Sequence, residues 1–286
     1  MESQLGHSLL ETDDGVKILR AKDELRDALV EPRRAGRAIG LVPTMGHLHE
    51  GHLSLLRAAR AECDVVVMSL FVNPAQFGPG EDLDRYPRDE EHDLQLADEA
   101  GVDLVYAPPV EEVYPDGFAT HVEVEGLTEV LCGDPSRRGP GHFRGVTTVV
   151  AKLFNTVQPD VAYFGQKDAQ QAIVIRRVVR DLSLDVQIRV LPTVRDEDGL
   201  ALSSRNARLS SEERAIALAL PRALATGAKA HVLGGDAVAA TRAALNGLHP
   251  DYVELLDLDG VTILASAARI GANRLIDNVI LEGELT

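Results

Sequence analysis

Short apolar runs alternate with helix-like stretches from residue 16 to residue 192 of this chain. The clearest run, over residues 64–72, is rich in β-branched residues and is stopped by Asn73-Pro74. A run of this kind, without regular polar positions, is typical of a parallel strand that is covered on both faces. Strands that alternate with helices form βαβ units around a mostly parallel sheet. We therefore predict that residues 1–192 form a Rossmann-like, doubly wound α/β domain.

The composition changes after residue 192. A polar loop over residues 193–208 leads into Ser210-Ser-Glu-Glu213, a capping-box pattern that predicts the start of a long, alanine-rich helix. A second helix is expected near residues 236–245. Three short apolar strands are expected near residues 253–258, 263–265 and 275–281. Residues 193–286 are therefore predicted to form a smaller α+β domain that acts as a lid.

Three further segments carry local predictions. Residues 1–14 are polar and are expected to form a frayed tail. Residues 120–124 alternate polar and apolar side chains, which predicts an exposed strand. Residues 132–145 are too rich in glycine, proline and arginine for regular structure, so the next helix is predicted over residues 146–156.

Charge and composition exclude several classes of protein. The net charge of -16 argues against non-specific binding of nucleic acid, which depends on a basic surface. The sequence contains no run of about 18 uncharged apolar residues, so no membrane span is expected. Its first residues lack the basic and apolar regions of a secretory signal, and two cysteines do not make a disulfide framework. We predict a cytoplasmic protein in which Cys63 and Cys132 are free thiols.

The sharpest functional signal is a predicted strand, turn and helix near residue 50. An apolar run over residues 38–42 ends at Pro43, and His49-Glu-Gly-His52 precedes apolar residues at helical spacing. A helix start carries unpaired N–H groups and a partial positive charge, which attract anions. Gly51 allows the backbone to approach a ligand closely. We predict that both imidazoles face a phosphate; zinc is disfavoured because the spacing is wrong and no cysteine is near.

Other polar motifs follow strands or join the two predicted domains. Gly165-Gln-Lys-Asp168 again links a strand to a helix, where Lys167 can reach phosphate oxygens and Asp168 can cap the helix. Leu202-Ser-Ser-Arg205 lies in the junction loop and can close over a polyphosphate. Gln76, just after the strand over residues 64–72, can orient a hydroxy acid. Four acidic residues are either magnesium ligands or a solvated helix face: Asp82, Asp84, Asp89 and Asp93.

With these motifs assembled, the sequence resembles the pantoate–β-alanine ligases, members of the nucleotidyltransferase superfamily with HIGH-type motifs. The resemblance extends from about residue 18 to residue 281. It rests on motifs in a specific order: Pro43-Thr-Met-Gly with His49-Glu-Gly-His52, Phe71-Val-Asn-Pro-Ala-Gln-Phe77, Gly165-Gln-Lys-Asp168 with Gln171, and Val194-Arg195 with Ser203-Ser-Arg-Asn206.

The resemblance implies an enzyme that condenses pantoate with β-alanine through a pantoyl adenylate and converts ATP to AMP and pyrophosphate. It also implies Mg²⁺ and a homodimer. Catalytic roles are implied for His49, His52 (as proton donor), Lys167, Ser203, Ser204 and Arg205. ATP binding is implied for Met45, Gly46, His49, His52, Gly165, Lys167, Asp168, Val194, Leu202, Ser203, Ser204 and Arg205. Pantoate binding is implied for Gln76 and Gln171, with Gln76 also near β-alanine, and magnesium binding for Asp93.

The sequence leaves two questions open. Gly139-Pro140-Gly141 stands where the family usually has Arg-Pro-x, so either Arg138 or Arg144 approaches the substrates. The function also has rivals. Another nucleotidylyltransferase of the superfamily would lack the Asn-Pro-x-Gln-Phe strand end, and a non-enzymatic nucleotide-binding regulator would need neither His52 nor Lys167.

Overall fold

The computed structural model describes residues 15–81, 83–245 and 247–285. The tail predicted for residues 1–14 and the candidate ligand Asp82 lie outside the described residues. Within the described ranges, no helix has the length and apolarity needed to cross a membrane. Cys63 and Cys132 are buried free thiols, as predicted.

Six parallel strands form the larger sheet in the described part of the chain. They are β1 (Lys17–Leu19), β2 (Ile39–Thr44), β3 (Val65–Leu70), β4 (Leu104–Tyr106), β5 (Val161–Gly165) and β6 (Gln187–Leu191). Their order is β1-β4-β3-β2-β5-β6, so the direction of strand addition reverses between β2 and β5. Open α/β sheets bind ligands beyond the carboxyl ends of the strands at such a reversal.

Helices cover both faces of this sheet. They are α1 (Lys22–Arg34), α2 (Glu50–Glu62), α3 (Glu90–Glu99), α4 (Val110–Val113), α5 (Pro140–Val157) and α6 (Ala169–Asp181). Side chains alternate across a strand, so the neighbours Leu41 and Val42 on β2 belong to different core clusters. Leu41 packs in the cluster that includes Leu29 and Ile175, and Val42 packs in the cluster that includes Leu56. The prediction of a doubly wound α/β fold is confirmed.

The C-terminal part has its own sheet and core. The antiparallel strands β7 (Pro250–Leu258), β8 (Val261–Ile270) and β9 (Asn273–Glu282) pack with α7 (Ser211–Ala217), α8 (Ala219–Val232) and α9 (Ala237–Ala244). This is the smaller α+β unit that the sequence predicts. The expected long helix is divided into α7 and α8 at Leu218. Pro221 explains the break, because it has no N–H to bond the carbonyl of Ala217 in a continuous helix.

The strand predicted over residues 120–124 is wrong. The backbone of Val122 bonds to threonine side chains of α5 instead of to a neighbouring strand. Its N–H donates to Oγ1 of Thr148 at 3.0 Å, and its carbonyl accepts from Oγ1 of Thr147 at 2.6 Å. The alternating segment therefore lies along α5.

The helix predicted over residues 146–156 begins earlier, at Pro140. Proline suits the first helical position, where a free N–H would have no partner inside the helix. The glycines that favoured irregular structure have a packing role, since a Cβ on Gly145 would lie 2.2 Å from the carbonyl oxygen of Ala75. Gly145 thus lets α5 approach the turn that follows β3.

Candidate active site

The carboxyl ends of β2, β3 and β5 border a cavity of about 250 Å³, next to a wider cleft of about 800 Å³ that reaches the C-terminal sheet. The smaller of the two is called the inner cavity. Every residue to which the resemblance assigns a role lines it, except Gly46 and Asp93. Its predicted members are Met45, His49, His52, Gln76, Gly165, Lys167, Asp168, Gln171, Val194, Leu202, Ser203, Ser204 and Arg205. Residues that lie far apart in the sequence therefore line one volume at the strand-order reversal.

The two imidazoles lie side by side at the start of α2, with ring centroids 4.1 Å apart. His49 caps the helix, because its Nδ1 accepts from the N–H of Gly51 at 3.1 Å. Nδ1 of His52 accepts from the N–H of His49 at 3.4 Å. A neutral imidazole that accepts at Nδ1 carries its hydrogen on Nε2. A Cβ on Gly51 would come within 2.9 Å of the His49 ring, so glycine permits this arrangement.

Both imidazoles are neutral at neutral pH. Burial, together with the nearby charge of Lys167, lowers the pKa of His49 to about 4. Burial, together with His49 and Lys167, lowers the pKa of His52 to about 3. This geometry favours two uncharged Nε2–H donors. A bound phosphate would raise both pKa values, because an adjacent negative charge favours the protonated form.

Asp93 holds the turn between β2 and α2 from outside the cavity. Its carboxylate accepts from the N–H groups of His47 at 2.8 Å and Leu48 at 2.6 Å, and the residue is 1% exposed. Gly46 has a φ of 85°, and a Cβ there would lie 2.8 Å from the Asp93 carboxylate. Both oxygens of this buried carboxylate already accept hydrogen bonds from the backbone. Asp93 is therefore poorly placed to bind Mg²⁺, contrary to the prediction that it is a magnesium ligand.

The turn after β5 presents Lys167 to the cavity. Nζ of Lys167 lies 3.4 Å from the carboxylate of Asp168. The side-chain amide of Asn278 on β9 donates to the carbonyls of Gln166 and Lys167, at 3.0 and 2.9 Å, so the C-terminal domain supports this turn. No sequence motif indicates Asn278, although the polar pair Asp277-Asn278 interrupts the apolar run between Leu275 and Leu281.

The junction loop folds back over the start of α2. The N–H of Leu202 donates to the carbonyl of Val194 at 3.0 Å, which closes a short hairpin. Ser204 Oγ donates to the carbonyl of His47 at 3.3 Å. His47 itself does not line the cavity, and its buried Nδ1 has no partner among the described residues. The loop is thus bonded to the turn that carries the imidazoles.

Gln76 and Gln171 face the same cavity from the side of α5 and α6. The side-chain oxygen of Gln76 accepts from the amide of Asn73 at 3.0 Å, and its nitrogen lies 3.2 Å from the sulfur of Met45. Asn73 is in turn fixed by the hydroxyl of Tyr114, 2.7 Å from its amide oxygen. No sequence motif indicated Tyr114.

Comparison with known proteins identifies the family. A family model described as pantoate-beta-alanine ligase matches residues 17–280, which is most of the chain. The chain belongs to this ligase family. Pantothenate synthetase from Moorella thermoacetica is 56% identical over 283 residues, and the alignment covers 93% of this chain and 99% of that protein.

Solved structures of this ligase family share the whole fold. Pantothenate synthetase from Thermus thermophilus superimposes with a TM-score of 0.86 at 48% identity, covering 93% of this chain and 99% of that one. Pantoate-beta-alanine ligase from Francisella tularensis, complexed with beta-gamma ATP and beta-alanine, has a TM-score of 0.76 at 34% identity. That match covers 95% of this chain and all of the other, 100%.

Arg138 is the cavity-lining member of the two arginines that the ligase resemblance left open. It lines both the inner cavity and the wider cleft, whereas Arg144 is exposed on α5 and lines neither. Its guanidinium forms a 2.5 Å ion pair with Glu81, and both side chains are about one-fifth exposed, 21% and 23%. The positive charge of Arg138 is therefore balanced within the protein.

Proposed function

We propose that this chain catalyses the ATP-dependent ligation of pantoate to β-alanine, the reaction for which its family is named. One observation carries the proposal beyond family membership. The imidazole-bearing helix start, the Lys167 turn, the Ser203-Ser204-Arg205 loop and two glutamines line a single cavity. This combination suits a polyphosphate next to a small hydroxy acid.

The first step forms the pantoyl adenylate. A carboxylate oxygen of pantoate attacks the α-phosphorus of ATP, and the bond from that phosphorus to the bridging oxygen breaks to release pyrophosphate. Nε2–H groups of His49 and His52 donate to the phosphates, as does the start of α2. Lys167 and Arg205 stabilise the charge that accumulates on the departing pyrophosphate. Catalysis of this kind requires positioning and electrostatic stabilisation, with no covalent bond to the protein.

The second step transfers the pantoyl group. The amine of β-alanine attacks the carbonyl carbon of the adenylate, the bond from that carbon to the AMP oxygen breaks, and the nitrogen releases a proton. Gln76 and Gln171 are proposed to hold pantoate through hydrogen bonds to its hydroxyls and carboxylate. Gln76 also borders the space that the amine must enter. Both amides line the same cavity as the imidazoles, which supports these roles.

Mg²⁺ is proposed to accompany ATP. In the described part of the chain, no group of three or more His, Cys, Asp or Glu side chains is arranged to hold a metal ion. Magnesium on nucleotides is bound mainly by phosphates and water, so such a cage is not required. Bound in this way, the ion would neutralise part of the phosphate charge. Asp168 brings a carboxylate into the cavity and replaces Asp93 as the proposed nearby protein group.

Assembly and location are also proposals. The family resemblance leads us to propose a homodimer in the cytoplasm. Sedimentation of the purified protein at the mass of one chain would overturn the proposed dimer.

The reaction is tested with purified protein, pantoate, β-alanine, ATP and Mg²⁺. We expect pantothenate, AMP and pyrophosphate in equal amounts. Without β-alanine, we expect exchange of labelled pyrophosphate into ATP that requires pantoate, because the first step is reversible. Release of ADP in place of AMP would overturn the adenylate mechanism. A nucleotidylyltransferase of another specificity would show no requirement for β-alanine.

A further inference from the structure

Arg138 connects three parts of the cavity wall. Its Nε and Nη2 donate to the two carboxylate oxygens of Glu81, at 2.9 and 2.5 Å. Its Nη1 lies 3.0 Å from Nε2 of His142, and Nη2 lies 3.3 Å from the backbone carbonyl oxygen of Gln76. A guanidinium has five N–H groups, so these four contacts leave little of Arg138 for a substrate.

His142 continues the same network. Its Nδ1 lies 2.8 Å from the carbonyl oxygen of Gln76, and a carbonyl can only accept, so Nδ1 carries the hydrogen. Nε2 is then free to accept from Arg138. Burial and the charge of Arg138 lower the pKa of His142 to about 4, against the opposing charges of Glu81 and Asp168. The neutral tautomer that donates to Gln76 is therefore maintained.

Gln76 is consequently held at two points. Asn73 fixes its side-chain oxygen, while Arg138 and His142 both donate to its backbone carbonyl. His142 lies in the first turn of α5, and Arg138 lies just before that helix. The position of the Gln76 amide in the cavity therefore depends on Arg138, although Arg138 is not itself directed at the amide.

We propose that Arg138 is a positioning residue for the pantoate subsite, acting through the backbone of Gln76. Glu81 anchors the guanidinium of Arg138 and balances its positive charge. This inference rests on the proposed assignment of Gln76 to pantoate. The proposed ATP-binding elements are the start of α2, the turn after β5 and the junction loop, and the four side-chain contacts of Arg138 reach none of them. Loss of Arg138 should therefore affect pantoate more than ATP.

The test compares Arg138→Ala and Arg138→Lys with Arg144→Ala, a matched control at an exposed arginine that lines neither cavity. Initial rates are measured with each substrate varied at saturating levels of the others. We expect Arg138→Ala to raise the KM for pantoate about tenfold, as for a lost charge-assisted hydrogen bond, and the KM for ATP less than about twofold. Lysine should restore only part of the loss, because an ammonium cannot make the forked contact. Arg144→Ala should match wild type.

A Gln76→Ala variant separates failure of the inference from failure of the assignment. If Gln76→Ala raises the KM for pantoate and Arg138→Ala does not, the positioning role is overturned and the pantoate assignment stands. If Gln76→Ala leaves that KM unchanged, the assignment itself is overturned, and the inference with it. If Arg138→Ala raises the KM for pantoate and the KM for ATP equally, Arg138 has a general structural role and the inference is overturned. If Arg138→Ala does not fold, Arg138→Lys and Glu81→Gln provide the same comparison. We expect both to raise the KM for pantoate by less than Arg138→Ala.

Discussion

His52 illustrates how burial changes the chemistry that a motif suggests. The sequence predicts an imidazole near phosphate, and the structure makes that imidazole neutral, with its hydrogen on Nε2. A neutral donor costs less to bury than a cation. We therefore propose that His49 and His52 supply directed hydrogen bonds to the phosphates and that Lys167 supplies mobile positive charge.

A substitution at His52 can distinguish a donor from a cation. We expect His52→Ala to lower kcat by about 10²-fold, as for loss of one donor to a charged transition state. His52→Gln should retain more activity, because its amide nitrogen can present an N–H near the position of Nε2. Pyrophosphate exchange that requires pantoate is the measurement, since it reports the first step. Equal losses in the two variants would contradict a neutral donor.

Lys167 is expected to act mainly on the same step. Lys167→Ala should lower kcat by about 10²-fold or more, because we propose that its charge stabilises the departing pyrophosphate. Lys229→Ala, at an exposed lysine of α8 outside both cavities, is the matched control. Steady-state rates at saturating substrates test the expectation. A decrease in kcat of less than about tenfold for Lys167→Ala would contradict a catalytic role for Lys167.

At the scale of elements, local sequence predicts the strands and turns that carry the motifs. The turn after β2 and the turn after β5 are both found, because strand, turn and helix signals lie within a few residues of each other. The partners that hold these turns are not predictable in this way. Asp93 comes from α3 and Asn278 from β9, and only the folded chain brings them close. Pro221 is different, since it was visible in the sequence and explains the break that was not predicted.

The role of α3 is tested at Asp93. Asp93→Asn replaces one acceptor oxygen by a donor, so a buried N–H of the turn loses its partner. We expect a loss of about 1–3 kcal/mol in unfolding free energy and a raised KM for ATP. The Mg²⁺ concentration that gives half-maximal activity should stay unchanged. Glu91→Gln, at an exposed residue of the same helix, is the control. A large rise in the Mg²⁺ requirement of Asp93→Asn alone would restore Asp93 as a metal ligand.

At the scale of the whole molecule, the C-terminal domain supports two elements that line the inner cavity, the junction loop and the Lys167 turn. Arg195 in the junction loop pairs at 2.7 Å with Asp277, whose side chain is 2% exposed, and the adjacent Asn278 bonds the Lys167 turn. The sequence predicts a lid domain, but the side chains that dock it appear only when β9 is placed against the larger sheet. The buried imidazoles at this junction also link the stability of the fold to pH.

Stability should fall as the pH falls below about 6.5. The pKa of His52 is about 3 in the folded chain against 6.5 for the ordinary side chain, so the unfolded chain binds more protons between these values. The stability that His52 contributes is therefore fully present above pH 6.5 and is lost progressively towards pH 3. His49 and His142 act in the same direction. For His52 alone, the loss between about pH 7.5 and about pH 5 should be about 2 kcal/mol. Urea unfolding of wild type and His52→Gln at both pH values measures this loss. The pH dependence of the variant should be smaller, because glutamine does not titrate. An equal pH dependence in the two proteins would show that His52 is not buried neutral.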